Sequence, residues 1–183
     1  MALVGITGSH GVGKSTLMRD VGGWMAAAGG RPPVMIDWIG GRVAASGLPL
    51  AEHCTMDTYC KFLAVHLQAL RAAKSADTIC DRTPFELMAY AMANGNASAA
   101  MVDLLCEVIE TALPAYSILF YLPIEFPLEP ARYRSPDPGY RAAVDGHLRR
   151  ALERFGGPVV ALSGDRAARL AVATASLAPV LAR

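Results

Sequence analysis

Charged residues are scarce in this sequence, and their near balance limits the partners that the chain can bind. Of its 183 residues, 18% are Asp, Glu, Lys or Arg, and the formal net charge is +1. A chain without a basic surplus has no general attraction for nucleic acid or for an anionic membrane, so we expect neither as a partner. The sequence also lacks an apolar run as long as a membrane span. Its 53% hydrophobic content excludes a disordered chain.

Cysteine is scarce as well, and its spacing does not suggest a metal site. The four cysteines are Cys54, Cys60, Cys80 and Cys106, and no two of them form a C-x-x-C pair. We therefore interpret them as buried free thiols rather than metal ligands. The N-terminus has no basic segment followed by an apolar one, as a signal peptide would. Together with free thiols, this predicts a cytoplasmic protein.

What the sequence does contain is an alternation of short apolar runs with helical patterns. The apolar runs predict strands at 3–7, 34–37, 77–81, 116–122 and 159–162. Apolar residues at helical spacing predict helices at 17–28, 62–70, 85–92, 101–112, 140–155 and 165–182, with irregular segments at 38–56 and 123–138. Strands that alternate with helices form a parallel sheet covered on both faces. We expect one α/β domain over residues 1–183, with three layers and five strands.

The strongest motif follows the first predicted strand and opens the first predicted helix. It matches the phosphate-binding pattern G-x-x-x-x-G-K-[ST] and runs Gly8-Ser9-His10-Gly11-Val12-Gly13-Lys14-Ser15. The glycines let successive backbone N–H groups face a phosphate, and the helix N-terminus adds its positive dipole end. Lys14 is expected to reach the β- and γ-phosphates, Ser15 to coordinate Mg²⁺ and Thr16 to lie near the α-phosphate. His10 is interpreted as a spacer in the loop or, alternatively, as a catalytic group.

Two aspartates at predicted strand ends are candidates for the chemistry. Asp81 ends the third strand and is our candidate for a second Mg²⁺ ligand acting through water; the alternative is a simple helix cap. Thr83 and Pro84 can start the following helix without it. Asp37 ends the second strand and is interpreted either as a general base for a substrate hydroxyl or as a turn residue.

Arginines near the predicted carboxyl edge of the sheet are further candidates. Arg134 and Arg141 lie between a strand end and a helix start, where a closing loop could bring them to a transferred phosphoryl group. Arg149, Arg150 and Arg154 are interpreted as surface residues. Arg166 follows the fifth strand and is a candidate for stacking on the nucleotide base, with Asp165 interpreted as the cap of the last helix.

These motifs together resemble the P-loop nucleoside and nucleotide kinases, in particular the branch of ATP-binding domains similar to bacterial ribosylnicotinamide kinase. The resemblance covers nearly the whole chain. It depends on the segments 8–16, 81–90 (Asp-Arg-Thr-Pro-Phe-Glu-Leu-Met-Ala-Tyr), 134–141 and 163–166, and on Asp37 followed by Arg42. Members of the family usually carry Glu closely followed by Arg after the second strand. Here the pair is Asp37 and Arg42, separated by Gly40 and Gly41.

The resemblance implies a strand order of 2-3-1-4-5, an acceptor-binding region at about 38–60 and a lid at about 126–140. It also implies ATP with Mg²⁺ as the phosphoryl donor, and it places Asp37 and Arg82 toward the acceptor. The expected function is therefore phosphoryl transfer from ATP to a small acceptor such as a nucleoside or nucleotide.

Other functions with the same motif remain as alternatives. A nucleotide-dependent switch or regulatory ATPase would need no acceptor. Asp37-Trp38-Ile39-Gly40 matches the D-x-x-G pattern of GTPases, but the sequence has no N-K-x-D guanine motif. A nucleic-acid remodelling ATPase is disfavoured by the near-zero net charge.

Five aromatic residues are interpreted either as ordinary core or as an aromatic pocket for a base. They are Tyr59, Phe62, Phe85, Tyr90 and Trp38. The oligomeric state is open, with a homodimer as one alternative.

Overall fold

Five parallel strands form the centre of the molecule. The computed structural model describes residues 1–28, 31–37, 39–72, 74–129 and 135–182. Within these residues the strands are β1 (Leu3–Thr7), β2 (Val34–Ile36), β3 (Thr78–Asp81), β4 (Ile118–Tyr121) and β5 (Val159–Ala161). All neighbouring strands are parallel, and their order is β2-β3-β1-β4-β5. The order and the α/β class are those expected from the sequence.

Seven α-helices surround this sheet in the described residues. They are α1 (Lys14–Ala27), α2 (Ile39–Ala45), α3 (Met56–Ala72), α4 (Pro84–Ala93), α5 (Ala99–Ala112), α6 (Pro138–Phe155) and α7 (Arg166–Leu181). One core lies between the sheet and the helices α1 and α7, around Val21, Phe120 and Leu177. The other lies under α4, α5 and α6, around Phe85 and Leu148. Apolar side chains are thus buried on both faces of the strands, which explains their continuous apolar sequences.

The register of the central strands brings the predicted site residues to one edge. Ile6 of β1 pairs with Asp81 of β3, and Thr7 pairs with Tyr121 of β4. The P-loop begins directly after Thr7, so Asp81 lies beside its start. Asp37 follows β2 at the same carboxyl edge, where ligands bind in open parallel sheets.

The prediction of an irregular segment at 38–56 was wrong for part of that range, although residues 46–50 and 54–55 are irregular. Helix α2 occupies 39–45, a single turn of 3₁₀-helix spans Ala51–His53, and α3 begins at Met56 rather than near Phe62. Ile39 and Val43, one helical turn apart, are both buried. Their burial outweighs the poor helix propensity of Gly40 and Gly41.

Residues 138–140, at the end of the segment that the resemblance implies as a lid, form the first turn of α6, where Asp137 caps the helix by accepting a hydrogen bond from the Gly139 amide. Cys54, Cys80 and Cys106 are buried free thiols as expected, but Cys60 is exposed because α3 turns Tyr59 and Phe62 inward instead. Within the described residues, none of the helices combines the length and apolar character needed to cross a membrane.

Candidate active site

Glycine is required at the start of the P-loop because the backbone directly after β4 lies close to it. Gly8 has a φ of +153°, and a Cβ atom there would lie 2.6 Å from the carbonyl oxygen of Leu122. At the other end, Gly13 is the N-cap of α1 with a φ of +97°. Both positions therefore favour glycine, and the loop between them leads into the N-terminus of α1, the site at which phosphates bind.

The loop is held from one side by α4 and α6. Arg141 of α6 donates from Nε to the carbonyl oxygen of His10 (2.9 Å) and from Nη1 to that of Phe126 (2.8 Å). Ser9 in turn donates from its hydroxyl to the carbonyl oxygen of Arg141 (3.1 Å). His10 Nδ1 and the Tyr90 hydroxyl of α4 share a hydrogen bond of 3.2 Å. Arg141, predicted to act on a transferred phosphoryl group, is a buried residue of α6 that binds the backbone of the P-loop.

The environment of His10 keeps its ring neutral. Burial, followed by the charges of Lys14 and Arg141, lowers the pKa of His10 to about 4. Its Nε2 atom is buried and has no hydrogen-bond partner among the described residues. The side chain also lines the space in front of Lys14 and Ser15.

From the other side, α7 holds the loop through Arg169. This side chain donates from Nη1 to the carbonyl oxygen of Val12 (2.6 Å) and from Nη2 to Glu125 (2.7 Å), and its guanidinium lies over the ring of Phe126. The sequence analysis did not single out Arg169. The available signal was an arginine within an otherwise apolar helix, which predicts a buried charge with a partner elsewhere.

Lys14 makes three contacts at the centre of the loop. Its Nζ donates to the carbonyl oxygens of Gly8 (2.6 Å) and Ser9 (2.8 Å), and it lies 3.2 Å from Oε1 of Glu86. Glu86 is fully buried on α4, and the sequence analysis gave it no role. A single carboxylate within the apolar run 84–91 was the signal that could have found it, since such a group needs a buried cation.

Ser15 and Asp81, the two residues predicted to hold a metal ion, are hydrogen-bonded to each other. The Ser15 hydroxyl donates to Asp81 Oδ2 at 3.1 Å. The other carboxylate oxygen of Asp81 is buried without a hydrogen-bond partner among the described residues. Hard oxygen donors beside a phosphate site suit Mg²⁺, so these two residues fit the predicted ion.

One cavity of about 480 Å³ extends from this pair to the residues predicted to face an acceptor. Ser15 and Asp81 line one end, and Asp37, Arg82 and Tyr59 line the rest, together with His10, Cys54, Phe62, Tyr90 and Ser135. Of the aromatic residues proposed for a pocket, Tyr59, Phe62 and Tyr90 line this cavity, whereas Phe85 lies in the core. Trp38 lies outside the described residues, as does Arg134.

Arg82 has an uncommon backbone conformation that aims its side chain into the cavity. Its φ is +72°, in the left-handed region that non-glycine residues seldom adopt. The guanidinium lies between the rings of Phe62 (5.7 Å) and Tyr90 (5.5 Å), and Nη1 is 3.9 Å from Glu86. Burial alone would lower the pKa of Arg82, but Tyr90, Glu86 and Asp81 raise it overall, so the side chain stays charged.

A second cavity of about 290 Å³ lies on the opposite side of the P-loop. Gly11, Val12, Gly13 and Thr16 line it on the loop side, and Phe126, from the segment after β4, lines it together with Arg166 and Arg169 of α7. Arg166 forms a two-pronged ion pair with Asp20 of α1, at 2.8 and 2.6 Å. Asp165 caps α7 by accepting from the Ala168 amide.

Solved structures with a similar backbone arrangement include NadR and two kinases. NadR in complex with NR has a TM-score of 0.71 at 16% identity, over 96% of this chain and 50% of the NadR chain. Thymidylate kinase from Ehrlichia chaffeensis has a TM-score of 0.68 at 15% identity, over 100% of this chain and 98% of the other. Deoxyadenosine kinase from M. mycoides with bound dATP has a TM-score of 0.62 at 13% identity, over 97% and 99%. At such identities the likeness shows the fold alone.

The chain thus spans about half the length of NadR but nearly all of the two smaller kinases. No curated protein matches it. A family model described as "AAA domain" matches residues 3–169. Because that match covers most of the sequence, the chain belongs to this AAA domain family, and it has the fold of the P-loop nucleoside and nucleotide kinases.

Proposed function

We propose that this chain is an ATP- and Mg²⁺-dependent phosphotransferase that acts on a small-molecule acceptor such as a nucleoside or nucleotide. The observation that carries the proposal is the continuous cavity that joins Ser15 and Asp81 to Asp37 and Arg82. A switch protein needs only the phosphate end of such a cavity, whereas a phosphotransferase needs room for a second substrate in line with the γ-phosphate.

The residues divide into a donor end and an acceptor end. The amides of residues 8–16 and Lys14 bind the phosphates, and the second cavity, with Arg166, receives the rest of the nucleotide. Support comes from two neighbours whose structures contain AMP-PNP or dATP. Ser15 and Asp81 would hold Mg²⁺, which would neutralise charge on the phosphates.

At the acceptor end, Asp37 accepts the proton of the attacking hydroxyl, and a new bond forms between that oxygen and the γ-phosphorus. The bond from the γ-phosphorus to the bridging oxygen breaks, and ADP leaves with those electrons. Arg82 and Arg134 are assigned to stabilising charge on the transferred group. Arg141 is assigned to the same step, and its contacts with the P-loop also keep the donor end in position.

A coupled assay of ADP release tests this proposal over nucleosides, nucleotides and small alcohols. We expect Lys14→Ala to abolish turnover. Asp37→Ala should lower turnover by at least roughly 100-fold while leaving ATP affinity within about twofold, because its carboxylate acts on the acceptor. An equal loss of ATP affinity in both variants would contradict the assigned roles. ATP hydrolysis that no acceptor accelerates would instead support the switch alternative.

Three expectations concern the molecule's setting and stay predictions. These are a cytoplasmic location, the lack of a nucleic-acid partner and a homodimer as one alternative for the oligomeric state. Light scattering of the purified chain measures the last of these directly.

A further inference from the structure

Glu86 is the carboxylate that touches both ends of the site. It is 0% exposed, and its Oε1 atom lies 3.2 Å from Lys14 Nζ and 3.9 Å from Arg82 Nη1. Its Oε2 atom accepts a hydrogen bond of 3.5 Å from the hydroxyl of Thr7, which in turn accepts one from Thr83. The carboxylate is therefore fixed between a donor-side cation and an acceptor-side cation.

A bound triphosphate would weaken the contact between Lys14 and Glu86. Lys14 has three N–H donors; in this structure its Nζ atom donates to the carbonyl oxygens of Gly8 and Ser9 and forms an ion pair with Glu86 at 3.2 Å. A phosphate oxygen needs at least one of these donors, and the phosphate is itself an anion close to the buried carboxylate. Glu86 then loses part of its contact with Lys14, and a buried carboxylate without a cation is costly.

Arg82 is the cation that can compensate. Its guanidinium lies on the cavity side of Glu86, between Phe62 and Tyr90, and lines the same cavity as Asp37. A shift of about 1 Å would turn the 3.9 Å approach into a close ion pair. Such a shift moves the guanidinium relative to the acceptor.

We propose that Glu86 is a positioning residue that couples nucleotide binding to the orientation of Arg82. When a nucleotide binds, Glu86 exchanges its contact with Lys14 for a closer one with Arg82, which prepares the acceptor side of the cavity. By linkage, whatever fixes Arg82 also favours the nucleotide. This inference rests on the proposed function only in that the P-loop binds a nucleoside triphosphate.

A double-mutant cycle on nucleotide affinity tests the coupling. The probe is Mg·AMP-PNP, and the readout is its dissociation constant by calorimetry for the wild type, Glu86→Gln, Arg82→Met and the double variant. We expect Arg82→Met to weaken binding roughly tenfold when Glu86 is present, and less than about twofold when Gln replaces it. Glu86→Gln alone should not weaken binding, since Lys14 is freed for the phosphate.

Asp145→Asn is the matched control, because Asp145 is another buried carboxylate with an arginine partner, Arg149 at 3.2 Å, away from the P-loop. If Glu86 were merely structural, its variant would lose affinity and stability together, and the effect of Arg82→Met would be the same in both backgrounds; that result would overturn the coupling. Arg82→Met is informative on its own: unchanged affinity in the wild-type background also overturns it, even if Glu86→Gln does not fold. If the wild type does not bind Mg·AMP-PNP at all, the proposed function fails as well.

Discussion

At the scale of single residues, two glycines of the first thirty show opposite tolerance to an added methyl group. Gly8 combines a φ of +153° with the 2.6 Å approach of the Leu122 carbonyl, whereas Gly23 lies in α1 with no atom near its Cβ position. We expect Gly8→Ala to lower the free energy of unfolding by about 2 kcal/mol and to weaken nucleotide binding. Gly23→Ala should raise the free energy of unfolding by roughly 0.5–1 kcal/mol.

Denaturation in urea measures both effects, and calorimetry with Mg·AMP-PNP measures the second effect of Gly8→Ala. Equal tolerance of alanine at the two positions would show that β4 does not constrain the loop as described.

Residue roles could be predicted only where a motif fixes them. The spacing from Gly8 to Ser15 and the strand-end position of Asp81 predict a shared site. In the structure, Ser15 Oγ lies 3.1 Å from Asp81 Oδ2. Glu86 and Arg169 could not be assigned in this way. Their partners, Lys14 and Val12, lie far away along the chain, so only the folded backbone brings them together.

At the scale of elements, α6 and α7 hold the P-loop from its two sides through hydrogen bonds to its backbone. Arg141 and Arg169 each use a buried guanidinium to bind a loop carbonyl. We expect Arg169→Met to lower the free energy of unfolding by about 3 kcal/mol, because it removes a cation from a buried hydrogen-bonded position. It should also weaken nucleotide binding, because the carbonyl oxygen of Val12 in the P-loop loses its hydrogen-bond donor.

Arg166→Met provides the comparison for stability on the same helix. Arg166 is exposed, and its ion pair with Asp20 lies in solvent, so the unfolding midpoint in urea should barely move. A larger loss for Arg166→Met than for Arg169→Met would mean that α7 is held by its surface contacts rather than by the loop.

The strands were predictable in number and type, and so were the helices except for α2 and the start of α3. Strand ends moved by one or two residues, as for Asp37, which follows β2. Helix α2 was missed because Gly40 and Gly41 indicate a loop, and the burial of Ile39 and Val43 that favours a helix becomes visible only with the neighbouring helix α3 in place.

At the scale of the whole molecule, two buried histidines predict how stability depends on pH. Burial lowers the pKa of His66 to about 4, and burial together with Lys14 and Arg141 does the same for His10. Above pH 6.5 both rings are neutral in the folded and the unfolded chain. As the pH falls from 6.5 toward 4, the unfolded chain takes up protons that the folded chain does not, so stability decreases.

We expect each of these histidines to lower the free energy of unfolding by about 1 kcal/mol between pH 7.5 and pH 5.5. The measurement is urea denaturation at pH 7.5, 6.5 and 5.5 for the wild type and for His66→Gln. The difference between the two proteins cancels other groups, including Glu86, whose pKa is raised by burial and therefore acts in the opposite direction. A difference that does not change with pH would contradict the prediction.

The sheet topology could be predicted from the sequence, but the set of residues that line the cavity could not. Continuous apolar strands predict a parallel sheet, and the resemblance to P-loop kinases implies the order that the structure has. The cavity, however, is lined by residues from distant segments, such as Ser135, which donates a hydrogen bond to Glu52. No periodicity or local motif encodes such a contact.

The single outward-facing thiol on α3 offers a way to follow the acceptor side of the cavity. All four cysteines lie in the described part of the chain, and only Cys60 among them is exposed. Its neighbour Tyr59 and the nearby Phe62 line the cavity. A maleimide fluorophore would therefore attach at this one position without prior removal of other cysteines, and its emission would report on small molecules that enter beside it.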